Sequence, residues 1–131
     1  MPMASFTSSD CWVLFSIDFG KKGSNLSEII LNGDRINHAI FERDELETGI
    51  NKLACGGFIV YDKGRFLPTQ KAKSFYKKHK RAGEGYIEEW IRISEIFIKE
   101  PLLDYRITIE LSEDEYKNAV KRHIDFFNKL D

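Results

Sequence analysis

The chain has 131 residues, 42% of them hydrophobic, with 10 Phe, 5 Tyr and 2 Trp; this is enough for one cored domain, or a small domain with an extension, and argues against disorder. Twenty Lys and Arg against 21 Asp and Glu leave a formal charge of −1, so any attraction for nucleic acid or anionic lipid must come from a local patch. Two cysteines, Cys11 and Cys55, are too few for a disulfide framework and lack zinc-site spacing, and with no signal-like leader and no apolar run near the ~20 residues of a membrane span, a cytoplasmic protein with reduced thiols and no membrane attachment is expected.

The stretch DCWVLFSIDF places Trp12, Val13, Ser16 and Ile17 on one helical face. With Ser9 or Asp10 as N-cap, it predicts a first helix ending near Gly20. After the loop GKKGSN, Asn25 and Glu28 stand at capping-box spacing, and Leu26, Ile29 and Ile30 predict a second helix to about Asn37. In ERDELETGINKL, Leu46, Ile50 and Leu53 form one buried stripe, leaving Glu42, Arg43, Glu47, Thr48, Asn51 and Lys52 mostly outward. This third helix is stopped by Gly56 and Gly57.

FIVYDKGRFLP then reads as two short strands around Asp62-Lys63-Gly64, a hairpin signal because Gly accepts positive φ. From Thr69 a lysine-rich amphipathic helix carries Ala72, Phe75, Tyr76 and His79 on one side. AGEG at 82–85 offers a joint, and Ile87, Trp90, Ile91, Ser94, Phe97 and Ile98 define a further helix closed before Pro101. YRITIEL alternates strictly, apolar at Tyr105, Ile107, Ile109 and Leu111, which predicts a half-buried strand. Ser112 and Glu115 are spaced to cap a last helix bearing Tyr116, Ala119, Val120, His123, Ile124 and Phe127.

Three helices followed by a hairpin is the order of the winged helix-turn-helix superfamily, and residues 10–80 resemble it, notably bacterial transcriptional regulators of the multiple-antibiotic-resistance and phenolic-acid-responsive kinds. Leu53, Gly57, Phe58 and Ile59 match its recurring Leu-x-x-x-Gly-Leu-Ile, and Thr69 lines up with the Thr after the second wing strand. Pro68, Ala72 and the long link RINHAIFERD depart from the usual pattern. The resemblance implies that the third helix enters the major groove and the wing touches the backbone, hence DNA binding by default. It covers no part of residues 83–131.

Base readout calls for Arg, Lys, Asn or Gln on that helix. Arg43, Asn51 and Lys52 are the candidates, against four acids at Glu42, Asp44, Glu45 and Glu47. Acids in a first turn complement the helix dipole, yet they oppose approach to phosphate. Basic charge gathers elsewhere: residues 62–81 hold eight basic and one acidic side chain, residues 1–61 five and eight, and residues 82–131 seven and twelve. Phosphate contacts are therefore expected from the wing and fourth helix, through Lys63, Arg65, Lys71 and Lys73 with Lys77, Lys78, Lys80 and Arg81 beside them. Six such contacts imply a log–log salt slope of roughly −5. The bland alternative is that this segment is merely solvated, or pairs with Glu84, Glu88 and Glu89.

His38, His79 and His123 have no partner at i+4 ligand spacing. His38 could cap the second helix or bond Asp34 one turn back. Neither cysteine has a base in local reach, and GKKGS lacks P-loop spacing. No catalytic residue, metal or cofactor is expected, and the protein is read as not an enzyme.

The sequence thus predicts an α+β, mostly helical protein, with a winged-helix domain over residues 1–82 and a helix-strand-helix extension over 83–131 that completes the core or forms a homodimer. The leading function is a DNA-binding transcriptional regulator with mostly phosphate-backbone contacts. Its rival is a winged-helix module that holds a protein partner through the acidic third helix or the extension and reads no DNA. A small-molecule sensor is a third class, for which no polar constellation names a ligand.

Overall fold

Short polar residues set where the helices begin. Thr7 opens α1 (Ser8–Phe15), its hydroxyl accepting from the Asp10 amide while the Asp10 carboxylate accepts from the Thr7 amide at 2.7 Å. Asn25 and Glu28 close the predicted reciprocal box at the start of α2 (Leu26–Asn37), both bonds being 2.9 Å. The structure, a computed structural model, describes residues 5–102 and 105–129, apart from the Phe127 side chain. Among these residues it is α+β and mostly helical, with six helices and one two-stranded antiparallel hairpin in an order compatible with a winged-helix layout.

The first helix starts earlier and ends sooner than its periodicity predicts. Ser16 is its C-cap, donating its hydroxyl to the Trp12 carbonyl at 2.7 Å. Beyond it the Asp18 carboxylate accepts from the Gly20 amide, and Ser24 bridges Phe66 through two backbone bonds of 2.9 and 2.7 Å. These competing bonds draw residues 16–24 out of the helix and lay the loop against the hairpin.

α2 ends at His38, whose positive φ of 54° and amide bond to the Asp34 carbonyl make it a left-handed cap. The Asp34 carboxylate goes elsewhere, to His123 Nε2 at 3.0 Å. Gly33, in mid-helix, is required by packing: a Cβ there would lie 2.3 Å from the Phe41 ring. Its absence lets Phe41 stack on Trp12, with centroids 3.7 Å apart, while the Trp12 indole donates to the Gly33 carbonyl at 2.9 Å.

α3 (Arg43–Cys55) buries Leu46, Ile50 and Leu53 as predicted. β1 (Ile59–Asp62) and β2 (Arg65–Pro68) pair with Ile59 opposite Pro68 and Asp62 opposite Arg65. Lys63 and Gly64 form the two-residue turn, both with positive φ, 51° and 83°, the combination a type I′ turn needs. Ile59 and Phe66 face the core. Thr69 caps α4 (Gln70–His79), and α5 (Tyr86–Phe97) follows the joint.

One core runs through the whole fold. Phe97 of α5 meets Phe6 and Phe58 at centroid distances of 4.6 and 5.0 Å, and Ile93, Leu111 and Ala119 belong to the same buried cluster as α1 and α3. The segment after residue 82 therefore packs on the first three helices. The face of α5 differs from the predicted one: Ile93, Ser94 and Phe97 are buried, whereas Ile91 and Ile98 are 55% and 45% exposed.

The predicted strand at 105–111 is not present. These residues pair with no strand and bend at Ile109, and α6 (Glu113–Lys129) follows them, with the Ser112 hydroxyl accepting from the Glu115 amide at 3.1 Å. α6 docks on α2 through the His123–Asp34 pair, and its Tyr116 hydroxyl donates to the Phe41 carbonyl at 2.7 Å. Of its predicted stripe, Ala119 and His123 are buried, Ile124 is exposed, and the Phe127 side chain lies outside the described residues.

Candidate nucleic-acid interface

Arg43, Glu47, Asn51 and Cys55 recur every four residues, so they form one ridge along the outer side of α3. Residues 105–112 lie along that ridge and are bonded to it repeatedly. Asn51 is fully buried, contrary to its predicted outward position. Its amide nitrogen donates to the carbonyls of Glu47 at 2.9 Å and Ile109 at 2.7 Å, and its oxygen accepts from the amides of Thr108 at 2.8 Å and Ile109 at 2.9 Å. That is the full capacity of a carboxamide, two donors and two acceptors.

The neighbours extend the pattern. The Leu111 amide donates to Glu47 Oε2 at 2.8 Å, and Arg43 donates to the Leu111 carbonyl at 3.0 Å and to Glu113 at 3.0 Å. At the other end, the Arg106 amide donates to Cys55 Sγ at 3.2 Å and the Cys55 thiol to the Arg106 carbonyl at 3.3 Å. A ridge of side chains thus replaces the missing strand partner. It supplies donors and acceptors to backbone groups that no strand pairs.

Lys52 is drawn in as well. Its ammonium donates to the Ser5 carbonyl at 2.9 Å and to Asp10 at 3.3 Å, and its side chain is 14% exposed. All three candidate base readers, Arg43, Asn51 and Lys52, are therefore engaged inside the chain. So are three of the acids, Asp44 among them through its ion pair with Arg43 at 2.6 Å. Glu45 accepts from the Glu42 amide and from the Ser9 hydroxyl at 2.7 Å, and Glu47 holds Leu111 and Arg43.

The predicted phosphate-contacting residues divide in two. Arg65 ties the hairpin to the loop and to α2, donating to the Lys22 carbonyl at 2.7 Å and forming an ion pair with Glu28 at 2.9 Å. Lys71 donates to the Gly56 carbonyl at 2.7 Å, its ammonium 4.6 Å from the Phe58 ring centre. Lys63 and Lys73 are exposed and, among the described residues, form no ion pair; the same holds for Lys77, Lys78, Lys80 and Arg81.

Two of the three acids expected to neutralise this surface, Glu84 and Glu89, have other partners. Glu84 receives both Nε and Nη2 of Arg92, at 2.8 and 2.7 Å, and this bond holds its carboxyl below the usual value. Glu89 accepts from the Tyr76 hydroxyl at 3.0 Å. Two lysines that the sequence reading passed over join the basic surface: Lys21 and Lys22 line one shallow depression with Lys63 and Arg65. The signal in the sequence is only the pair of lysines in GKKG; what brings them beside the wing is the Ser24–Phe66 bridge.

Burial pushes the Cys11 thiol up to about 12, so it is protonated at neutral pH. Among the described residues no group of three His, Cys, Asp or Glu side chains is placed to hold a metal ion, and no helix is long and apolar enough to cross a membrane. No protein-family model, curated protein or solved structure matches the chain.

Proposed function

We propose that the chain is a winged-helix protein that binds the phosphate backbone of duplex DNA through the wing, the 20–22 loop and α4, without base readout by α3. One contrast carries this reading: the outer ridge of α3 is bonded to residues 105–112, whereas Lys63, Lys73, Lys77 and Lys78 are exposed and unpaired among the described residues. Phosphate contacts position a protein on DNA but carry no sequence information. A role in transcription would then rest on DNA shape or on a partner that supplies the sequence preference. The interaction-module alternative has less support from α3, because Glu45 and Glu47 serve contacts within the chain.

The test is fluorescence anisotropy with labelled duplexes of random sequence. Binding that falls with salt, at a log–log slope of roughly −5 for about six contacts, supports the proposal. Absence of binding at low salt removes it.

A further inference from the structure

A cleft of about 430 Å³ opens between the end of α1, α2, α4 and the start of α5, within the range of roughly 300–1,000 Å³ typical of small-molecule sites. Its walls include Phe15, Phe19, Tyr76 and Tyr86. Phe15 and Phe19 each meet Tyr76 nearly at right angles, 79° between planes with centroids 5.6 and 5.5 Å apart. Tyr86, 70% exposed, stands at the rim. Four aromatic rings thus line one space, and aromatic rings are the side chains that attract an organic cation.

The polar lining has the matching sign. Asp18 and Glu89 both border the cleft, against one guanidinium, Arg35. Glu89 accepts from the Tyr76 hydroxyl but, among the described residues, has no ion-pair partner. Burial raises its pKa, the Tyr76 hydrogen bond and the nearby charges of Arg92 and Lys80 offsetting only part of that effect, so the carboxylate sits in an apolar setting without a counter-ion in contact. A bound ammonium would supply that counter-ion, while its apolar body would cover Phe15, Phe19 and Ile36.

We propose that this cleft is a binding site for a small organic ammonium ligand with an aromatic or bulky apolar body, caged by Phe15, Phe19, Tyr76 and Tyr86 and faced by the carboxylates of Glu89 and Asp18. The site is separate from the phosphate-binding surface and opposite to it in charge. α4 contributes to both, Tyr76 to the cleft and its lysines to the exposed side.

The probe is benzyltrimethylammonium, titrated into the full chain by isothermal titration calorimetry, with phenylacetate as its anionic counterpart. Saturable binding of the cation with a Kd below about 1 mM and none of phenylacetate is expected. Tyr86→Ala removes only a rim ring, so it leaves the fold intact and should weaken the cation roughly five- to tenfold; Glu89→Gln should weaken it by at least as much. Circular dichroism confirms that each variant is folded. The proposal is overturned by no saturable binding of the cation, by equal affinity for both probes, by phenylacetate binding that Arg35→Ala abolishes, or by folded Tyr86 and Glu89 variants that bind as the parent does.

Discussion

Asn51 treats Ile109 as a neighbouring strand would: it donates to the Ile109 carbonyl at 2.7 Å and accepts from the Ile109 amide at 2.9 Å. One side chain on α3 thereby closes both backbone groups of a residue 58 positions away. The outer ridge of α3 is thus covered by residues 105–112 of its own chain.

Replacing Asn51 by Leu keeps the volume and removes every one of these bonds. Leaving buried polar groups unsatisfied costs about 1–3 kcal/mol, limited here because residues 105–112 can detach to water. Urea denaturation should show a loss in that range, and hydrogen exchange at Thr108, Ile109 and Leu111 should accelerate more than exchange in α1. Unchanged protection at those amides would mean that the carboxamide does not hold the segment.

Gly33→Ala inverts a familiar trend. In an open helix interior this change gains about 1 kcal/mol, but here the new Cβ would lie 2.3 Å from the Phe41 ring and disturb its stack on Trp12. A net loss of about 1–3 kcal/mol is expected from overpacking. A rise in Tm would contradict the close approach of α2 to Phe41.

Lys63 separates stability from binding. Its positive φ of 51° in the hairpin turn suits Asn better than Lys, so Lys63→Asn should leave the thermal midpoint unchanged or raise it. The same variant removes one exposed charge and should flatten the log–log salt slope for DNA by roughly 0.9. An unaltered slope would take the wing tip out of the interface.

The two thiols should differ sharply in reactivity. Cys11 is buried with its pKa near 12, while Cys55 is partly exposed and hydrogen-bonded to the Arg106 backbone. A disulfide reagent at neutral pH should modify Cys55 in the folded protein and Cys11 only on unfolding. Modification of Cys55 should also loosen residues 105–108, seen as faster exchange there.

Alkaline stability has a readable sign. Burial, reinforced by Glu89, pushes the Tyr76 phenol from 10 up to about 12. A folded-state pKa above the unfolded value stabilises the fold fully below pH 10 and progressively less as pH rises toward 12. Ultraviolet titration should show a tyrosine ionising near 12 that Tyr76→Phe abolishes, the upward-shifted Tyr105 and Tyr116 remaining, with stability declining over that window in the parent.

Much of the fold was legible because local chemistry decided it. Asn25 with Glu28, the buried stripe of α3, the Lys63–Gly64 turn and Thr69 before α4 all follow from short-range rules. The alternation in YRITIEL predicts a half-buried strand and none forms there, since period 2 reports which side chains alternate and not whether a partner strand is at hand. Asn51 was placed outward because it lies off the Leu46, Ile50 and Leu53 stripe. Its four-residue spacing from Glu47 on one side and Cys55 on the other is visible in the sequence, but a long-range segment that covers the ridge is not. Lys21 and Lys22 joined the basic surface through the Ser24–Phe66 bridge, a contact of 42 positions' separation with no local signature.

The most direct measurement is the salt dependence of anisotropy for two duplexes of unrelated sequence, made on the parent, on a Lys63, Lys73 and Lys77 triple alanine variant, and on Arg43→Ala. Equal affinity for both duplexes, a slope reduced by roughly 2.7 in the triple variant, and a parental slope in Arg43→Ala are expected. Clear preference for one duplex, lost in Arg43→Ala and kept in the triple variant, would contradict the proposal and return base reading to α3.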